Sequence, residues 1–350
     1  MIRVGIIGAS GYAGAELVRY LLMHPGVEIT YLASGTYEGR PLSDAYPSFL
    51  GQDLPLCEQW DIENAADKAD FFFQAQGNGN GMKVAPDLMD YGKKLIDVPA
   101  DFRLKDMAVY KQFYGLDHTC PELAAEAVYG IPELNADKIA EARIVANSGC
   151  YATSSILALS PLVKSKNVCL DSIIVDSKSG VSGSGRSKLS VPGMFCEVNE
   201  GLKAYAVSTH RHTPEIEQEL TNVAGEKITI NFTPHLIPMN RGILTTAYAS
   251  AGQGKKIPST SEMIALYREF YAGRTFVVVL DEGRQPCTKN VLGTNFAHIG
   301  IVSDARTNRV IITCAIDNMG KGAAGQAVQN MNVMLGLDET TGLMMPAVYP

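Results

Sequence analysis

The sequence lacks the features that mark several broad classes of protein. No apolar stretch among its 350 residues approaches the roughly 20 residues that a membrane helix requires. At the amino terminus only a short apolar run, residues 4–7, is present before the glycine-rich segment 8–14, so we expect neither a signal peptide nor a membrane partner. Lysine and arginine do not cluster, and the formal net charge is −7, which argues against a nucleic-acid partner. These absences predict a cytoplasmic globular protein with about two domains.

The seven cysteines include no CxxC pair and are odd in number, so neither a structural zinc site nor a disulfide framework is expected. A lone cysteine is usually a small buried residue, and Cys314 fits that description because it lies in an apolar run. Cys150 differs, because it follows a predicted strand and opens a predicted helix. A helix N-terminus stabilises a thiolate, the reactive form of cysteine. Cys150 is therefore a candidate nucleophile, with a buried structural cysteine as the alternative.

The pattern of apolar runs changes near residue 150. Before it, strands and helices alternate, which predicts an α/β fold with a parallel sheet of the Rossmann type. After it, strands predominate, and the alternation at 227–232 indicates a mixed sheet in an α+β domain. We predict one domain from 1–148 together with a C-terminal helix in 323–350, and a second from 149–322. The predicted strands are 2–7, 27–33, 70–74, 94–97, 143–146, 172–177, 227–232, 243–250, 276–280, 296–302 and 310–316, and the main helices 14–23, 82–91, 151–164 and 322–337.

A glycine-rich turn lies between the first predicted strand and the first helix. Gly8, Gly11 and Gly14 have the spacing that lets a backbone approach a pyrophosphate, although a plain tight turn is the alternative. No acidic residue follows the second strand to bind a ribose 2′-hydroxyl. The hydroxyls of Ser34 and Thr36 and the cation of Arg40 suit a 2′-phosphate instead, which favours NADP over NAD.

Two histidines precede another predicted helix in the segment His210-Arg-His-Thr-Pro-Glu215. Thr213 is the expected N-cap and Pro214 the expected first helical residue. In an extended chain, His210 and His212 could face the same way and serve as acid/base partners of Cys150. A His-x-His metal site and ordinary surface or capping histidines are the alternatives, and no metal is expected because no third ligand is near.

A segment rich in glycine, serine and cations, residues 176–186, follows a further predicted strand. Such a loop can hold an anion with backbone N–H groups, helped by Lys178 or Arg186. A flexible surface loop is the alternative.

Taken together, these motifs resemble the N-acetyl-γ-glutamyl-phosphate reductase family, relatives of the aspartate-semialdehyde dehydrogenases, nearly from end to end. The matching motifs are the turn at 8–14, Ala100-Asp-Phe-Arg-Leu104, the Cys150 segment, Ser177-Lys-Ser-Gly-Val-Ser-Gly183, His210-Arg-His212, residues 233–244, Gly293-Thr-Asn295, Ile316-Asp-Asn318 and residues 321–330.

The resemblance implies reduction of an acyl phosphate to an aldehyde by NADPH, in a homodimer or homotetramer, with 149–322 as the catalytic and oligomerisation domain. Cys150 would be the nucleophile and His210 the first candidate for the acid/base, with a ring nitrogen within roughly 5 Å of the sulfur; His212 and Glu215 would support it. The implied cofactor residues are Gly8, Ser10, Gly11, Tyr12, Gly14, Ser34, Thr36, Arg40, Gly180, Asn318 and Lys321. The implied substrate residues are Arg103, Asn147, Ser179 and Arg186.

Three segments depart from the family pattern. Ser148 and Ala152 replace two prolines beside Cys150, Val98-Pro99 replaces Leu-Ser, and Gln76-Gly-Asn-Gly79 replaces Leu-Pro-His-Gly. A hydroxyl lost from a binding site can change selectivity. The same chemistry on an N-succinyl-glutamyl or aminoadipyl phosphate, and a non-catalytic NADP-binding sensor, are therefore the alternatives.

Overall fold

The computed structural model describes residues 1–186 and 194–349, which form two compact units. The first contains 1–149, Gly185, Arg186 and 323–344, and the second contains 150–184, 194–322 and 345–349. The tail 345–349 was expected in the first domain, and the structure corrects this. The tail is held within the second unit, where the Val348 N–H donates to the Leu292 carbonyl (3.1 Å) and the Lys289 ammonium lies 5.8 Å from the centre of the Tyr349 ring.

The first unit is a seven-stranded parallel sheet with helices, as the sequence predicted. Its strands are β1 (Ile2–Ile7), β2 (Val27–Ala33), β3 (Cys57–Glu58), β4 (Phe71–Gln74), β5 (Lys94–Asp97), β6 (Val128–Gly130) and β7 (Ile144–Asn147), in the order β3-β2-β1-β4-β5-β7-β6. Its helices are α1 (Tyr12–Leu21), α2 (Ile62–Lys68), α3 (Gly81–Asp90), α4 (Met107–Tyr114), α5 (Pro121–Glu126), α6 (Pro132–Glu141) and a C-terminal helix, Gly325–Met334.

The middle of this sheet is buried. All four residues of β4 are buried, as expected for a strand in a parallel sheet that is covered on both faces. The sheet order reverses between β1 and β4, because the chain first moves outward through β2 and β3 and then returns to the other side of β1. In such sheets, ligands bind beyond the carboxyl ends of the strands at this switch point. The glycine turn that follows β1 lies there.

The second unit is built on a mixed seven-stranded sheet, again as predicted. Its strands are β8 (Ile174–Ser179), β9 (Lys203–Ala204), β10 (Asn231–Leu236), β11 (Ile243–Ser250), β12 (Val277–Val279), β13 (Ala297–Asp304) and β14 (Arg309–Ile316), in the order β12-β13-β14-β11-β8-β10-β9. Its helices are α7 (Cys150–Ser165), α8 (Phe195–Val198), α9 (Thr213–Ala224) and α10 (Thr260–Phe270).

Helix α7 is the buried element of the second unit. It packs on β11 and β14, and residues 151–163 are all buried. Polar side chains fix it in place: Ser154 Oγ lies 2.7 Å from Thr245 Oγ1 on β11, and the Tyr267 hydroxyl donates to the Ala158 carbonyl (2.6 Å). The orientation of α7 therefore sets the direction of its first residue, Cys150.

The strand predicted at 227–232 is shifted in the structure, where β10 begins only at Asn231. Ile228 and Ile230 are buried, which explains the apolar alternation. Their N–H groups are taken by side chains of α9, because Ile228 donates to Thr221 Oγ1 and Ile230 to Glu217 Oε1, each at 3.0 Å. These N–H groups are therefore not available to a sheet ladder.

The helix predicted at 322–337 is shorter in the structure. A π-helical turn, Gly320–Ala324, precedes the regular C-terminal helix. Among the helices in the described ranges, none combines the length and the apolar character needed to cross a membrane.

Candidate active site

The glycine turn of the first unit is built for close approach of a ligand to the backbone. Gly8 has φ of +90°, a conformation that favours glycine. A Cβ at Gly14 would lie 2.3 Å from the Gly8 carbonyl oxygen, so no larger residue fits there. The turn is closed by hydrogen bonds from Gly11 N–H to Gly8 O (3.0 Å) and from Gly8 N–H to Ala33 O (2.9 Å). Helix α1 starts at the exposed Tyr12, so its N-terminal dipole lies beside the turn, as a pyrophosphate requires.

The hydroxyls and the cation expected beside a 2′-phosphate differ in burial and in their partners. Ser10 Oγ and Ser34 Oγ lie 2.7 Å apart, and Ser34 is buried. Thr36 is exposed in the short helical turn that follows β2. Arg40 is also exposed, and its Nε donates to Asp44 Oδ2 at 2.8 Å. Its charge is therefore already paired.

Arg186 lies beside the glycine turn. It belongs to the first unit, where its guanidinium contacts the Ser10 carbonyl, the Tyr37 hydroxyl and the Ala45 carbonyl. Its expected role in binding the substrate stays a prediction.

Cys150 is the first residue of α7 and is partly buried. A glycine packs against it, because a Cβ at Gly322 would lie 2.8 Å from the Cys150 Cβ and 3.2 Å from its Cα. The Gly322 N–H in turn donates to the Asp317 carbonyl at 2.9 Å. The turn 317–322 thus forms one wall around the thiol.

Asp317 organises that wall from a fully buried position. Its carboxylate accepts hydrogen bonds from the N–H groups of Met319 (2.8 Å), Gly320 (3.1 Å) and Gly293 (2.5 Å), and it pairs with Arg241 at 3.0 Å. A buried carboxylate that accepts this many bonds holds its donors in one geometry. Asp317 is therefore a positioning residue for the thiol.

Tyr151 connects the thiol to the histidines. Its hydroxyl donates to the His235 carbonyl (3.0 Å) and accepts from the Tyr205 hydroxyl (3.1 Å). Its ring makes edge contacts with the rings of His210 (5.4 Å between centres) and His212 (6.0 Å). Burial, with a smaller effect of the adjacent Cys150 sulfur, raises the pKa of both tyrosines, that of Tyr205 to about 12. The two phenols therefore stay protonated.

His210 is held in its neutral form. Its pKa is lowered to about 3, mainly by burial and also by the charges of His212 and Arg211, whereas Glu215 has the opposite effect. The two histidine rings lie 4.8 Å apart between centres. Within the described ranges, no group of three or more His, Cys, Asp or Glu side chains is arranged to hold a metal ion.

The start of helix α9 differs from the prediction. Thr213 lies inside the helix, and its N-cap is His212, which has helical rather than extended backbone angles. A turn causes this, because the Thr213 N–H donates to the His210 carbonyl and the His212 N–H to His210 Nδ1. The predicted N-cap and the predicted extended chain are therefore wrong. His212 Nε2 lies 4.0 Å from the fully buried Glu215 carboxylate, so these two residues form a pair.

Three further predicted residues, Ser179, Gly180 and Asn318, make contacts within the second unit. Ser179 ends β8 and donates to the Gly180 carbonyl (2.9 Å), while a Cβ at Gly180 would lie 2.7 Å from the Asn240 carbonyl oxygen. Asn318 accepts from the Gly242 N–H (2.7 Å) and donates to Ser182 Oγ (2.9 Å), so its amide orders the loop that follows β8.

Lys321 was expected to bind the cofactor, but its side chain is fully buried. The ammonium lies 5.6 Å from the centre of the Phe276 ring. Burial raises the pKa of the nearby Cys314 thiol to about 12, against the opposing charge of Lys321. The expected role of Lys321 in binding the cofactor stays a prediction.

Two predicted substrate residues have structural partners in the first unit. The Asn147 amide donates to the Ala323 carbonyl and accepts from Asn330 Nδ2, each at 3.0 Å, and its expected role with the substrate stays a prediction. Arg103 is buried and donates to the Val98 carbonyl at 2.7 Å.

Four residues of the site were not predicted from the sequence: Tyr151, Tyr205, Arg241 and Asp317. Tyr151, Arg241 and Asp317 lie inside motifs on which the family resemblance rests, so those motifs could have indicated them. Tyr205 lies outside them.

Two family models and several known proteins match this chain. Residues 3–142 match the family model described as "Semialdehyde dehydrogenase, NAD binding domain", and residues 150–318 match "Semialdehyde dehydrogenase, dimerisation domain". The chain is 50% identical to the N-acetyl-γ-glutamyl-phosphate reductases of Acetivibrio thermocellus and Heliobacterium modesticaldum, over 100% of this chain and 100% of each relative.

The chain belongs to the N-acetyl-γ-glutamyl-phosphate reductase family. This confirms the resemblance inferred from the motifs. It also confirms the prediction that the protein is an oxidoreductase. Two solved structures confirm the fold of this family member. An aspartate semialdehyde dehydrogenase II from Vibrio cholerae, complexed with ASA, matches with a TM-score of 0.73 and 17% identity over 96% of this chain and 98% of that one. An aspartate semialdehyde dehydrogenase with NADP from Candida albicans matches with a TM-score of 0.72 and 15% identity over 96% and 98%.

Two of the departures from the family pattern lie in packed positions. Ser148 is buried, and its hydroxyl lies 2.7 Å from the Tyr129 hydroxyl. Ala152 is fully buried in α7. These replacements therefore change internal contacts of the protein.

Proposed function

We propose that this protein reduces N-acetyl-γ-glutamyl phosphate to N-acetylglutamate 5-semialdehyde with NADPH and releases phosphate, through a thioester on Cys150. The observation that carries the proposal is the position of Cys150, which opens α7 beside Gly322 and is followed by the tyrosine that meets both histidines. Two relatives that are 50% identical over their full length are named N-acetyl-γ-glutamyl-phosphate reductase.

The cofactor proposal rests on the first unit. The Gly8–Gly14 turn and the start of α1 would hold the pyrophosphate, because a backbone without Cβ atoms can approach it closely. NADPH, once bound, supplies the hydride that reduces the thioester carbonyl.

The chemistry of the thiol begins with a proton transfer. A neutral His210 can take the proton of the Cys150 thiol, because its ring is unprotonated at neutral pH. The thiolate then attacks the acyl carbon, the bond from that carbon to the phosphate oxygen breaks, and phosphate leaves. A thioester carbonyl accepts hydride more readily than a carboxylate, so one difficult step becomes two easier ones.

His210 then moves the same proton a second time. As an imidazolium it protonates the oxyanion that hydride addition creates, and it takes the proton back as the carbon–sulfur bond breaks and the aldehyde leaves. Glu215 raises the pKa of His210 and so stabilises this imidazolium. In balance, acyl phosphate, NADPH and one proton give aldehyde, NADP⁺ and inorganic phosphate.

The protein is proposed to act as a homodimer or homotetramer, since residues 150–318 match a dimerisation domain. A reducing compartment such as the cytoplasm suits this chemistry, because the nucleophile must remain a thiol and none of the seven cysteines forms a disulfide in the structure.

The experiment is Cys150→Ser, assayed for aldehyde oxidation with NADP⁺ and phosphate. The variant should keep its fold and its NADPH affinity but retain less than about a tenth of the turnover, since a serine hydroxyl is largely protonated at neutral pH. Cys287→Ser is the matched control, because Cys287 is an exposed thiol outside this site. Turnover above that level in Cys150→Ser would exclude the thioester route.

A further inference from the structure

Arg186 is anchored beside the glycine turn by three neutral groups. Nη1 donates to the Ser10 carbonyl (3.1 Å), and Nη2 donates to the Tyr37 hydroxyl (3.2 Å) and the Ala45 carbonyl (3.4 Å). The guanidinium carbon also lies 4.6 Å from the centre of the Tyr46 ring. An aromatic face and two carbonyls fix the plane of the guanidinium, which leaves the group pre-organised rather than free in solvent.

The charge of Arg186 is not neutralised by any of these contacts. Its acceptors among the described residues are carbonyls and a phenol, and no carboxylate pairs with it there. Arg40 differs, because its Nε is bonded to Asp44. The cation available to an anionic ligand at this end of β2 is therefore Arg186 rather than Arg40.

The same carbonyl links Arg186 to the hydroxyls expected around the adenosine ribose. Ser10, whose carbonyl accepts from Arg186, also places its Oγ 2.7 Å from Ser34 Oγ. The Tyr37 N–H donates to the Ser34 carbonyl at 3.1 Å. Ser10, Ser34, Tyr37 and Arg186 thus form one group at the carboxyl end of β2, where an adenosine 2′-substituent lies in this fold class.

We propose that Arg186 recognises the 2′-phosphate of NADP and sets the preference for NADP over NAD. A guanidinium can donate two parallel hydrogen bonds to a phosphate, and Tyr37 and Tyr46 hold it in the required orientation. This inference rests on the proposed use of NADPH and replaces Arg40 as the expected cation.

The test measures binding of two probes by calorimetry, without turnover: adenosine 2′,5′-bisphosphate and adenosine 5′-monophosphate. The wild-type protein should prefer the bisphosphate, and Arg186→Ala should reduce that preference about tenfold or more, since a charge-assisted bond is lost. Affinity for the monophosphate should change little. Arg186→Lys keeps the charge but loses the two parallel N–H donors, so its preference for the bisphosphate should lie between those of the wild type and Arg186→Ala.

Two comparison variants make the result specific. Arg3→Ala removes an equal charge from the opposite end of β1, where Arg3 pairs with Asp70, and should leave the preference unchanged. Arg40→Ala should reduce the preference less than Arg186→Ala does. A melting curve of each variant without ligand shows whether the fold is kept. If Arg186→Ala does not fold, the preference measured for Arg186→Lys tests the proposal instead.

The outcomes distinguish a failure of the Arg186 assignment from a failure of the proposed preference for NADP. Equal losses for both probes in Arg186→Ala, or a larger loss of preference in Arg40→Ala, would overturn the assignment of Arg186. A wild-type protein that binds the two probes equally would instead overturn the proposed preference for NADP, whatever Arg186 does.

Discussion

His210 is the residue whose titration can be followed separately from catalysis. Its pKa is lowered to about 3 by burial, with the charges of His212 and Arg211 adding to the effect, whereas an unperturbed histidine titrates near 6.5. Between these pH values the unfolded chain binds a proton that the folded chain does not. Stability therefore falls as the pH drops through this window.

His210→Asn should remove this part of the acid sensitivity, because asparagine does not titrate. From about pH 7.5 to about pH 5, the variant should lose less free energy of unfolding than the wild type in urea titrations. Its turnover should also fall about 10²-fold, as for a lost general acid/base. An equal loss of stability in both proteins would contradict the burial of a neutral His210, and unchanged turnover would move the acid/base role to His212.

Cys150 and the two histidines could be chosen from the sequence because each lies in a short motif with a chemical reason. Their mutual geometry could not, because the His210 turn depends on a bond from the His212 N–H to a ring nitrogen. The separation of His210 and the Cys150 sulfur remains a prediction.

The start of helix α7 and the turn 317–322 form the element that presents the thiol. Gly322→Ala would put a Cβ 2.8 Å from the Cys150 Cβ, so one of the two segments must move. Because a displacement of about 1 Å can cost 10²-fold in rate, turnover should fall at least tenfold while NADPH affinity is kept. Gly201→Ala is the control, since its new Cβ would make only an ordinary contact of 3.5 Å. Equal turnover in the two variants would show that the Gly322 contact does not position the thiol.

Most elements followed from apolar periodicity, and the errors have local causes. The apolar alternation at Ile228 and Ile230 reflects burial beneath α9, whose side chains take the backbone N–H groups that a strand would pair. Periodicity reports which residues are buried, but it does not report which partner accepts a backbone hydrogen bond.

At the scale of the whole molecule, the sequence predicted the two sheet types but not contacts between distant segments. Asn147 is satisfied by Asn330, 183 residues away, and the tail 345–349 rejoins the second unit. Arg186 was predicted to help the loop 176–186 hold an anion, and the structure adds that its contacts lie beside the glycine turn of the first unit. Such residues are placed by tertiary contacts that no local motif encodes.

The central claim is that the acyl group is transferred to Cys150, and mass spectrometry of the quenched enzyme tests it most directly. Acyl phosphate without NADPH should leave the acyl group on the peptide 144–164, which tryptic cleavage after Arg143 and Lys164 releases and in which Cys150 is the only cysteine. Addition of NADPH before the quench should remove the label as aldehyde forms. An unlabelled 144–164 peptide in enzyme that turns over normally, or a label on another residue that NADPH discharges, would contradict the account.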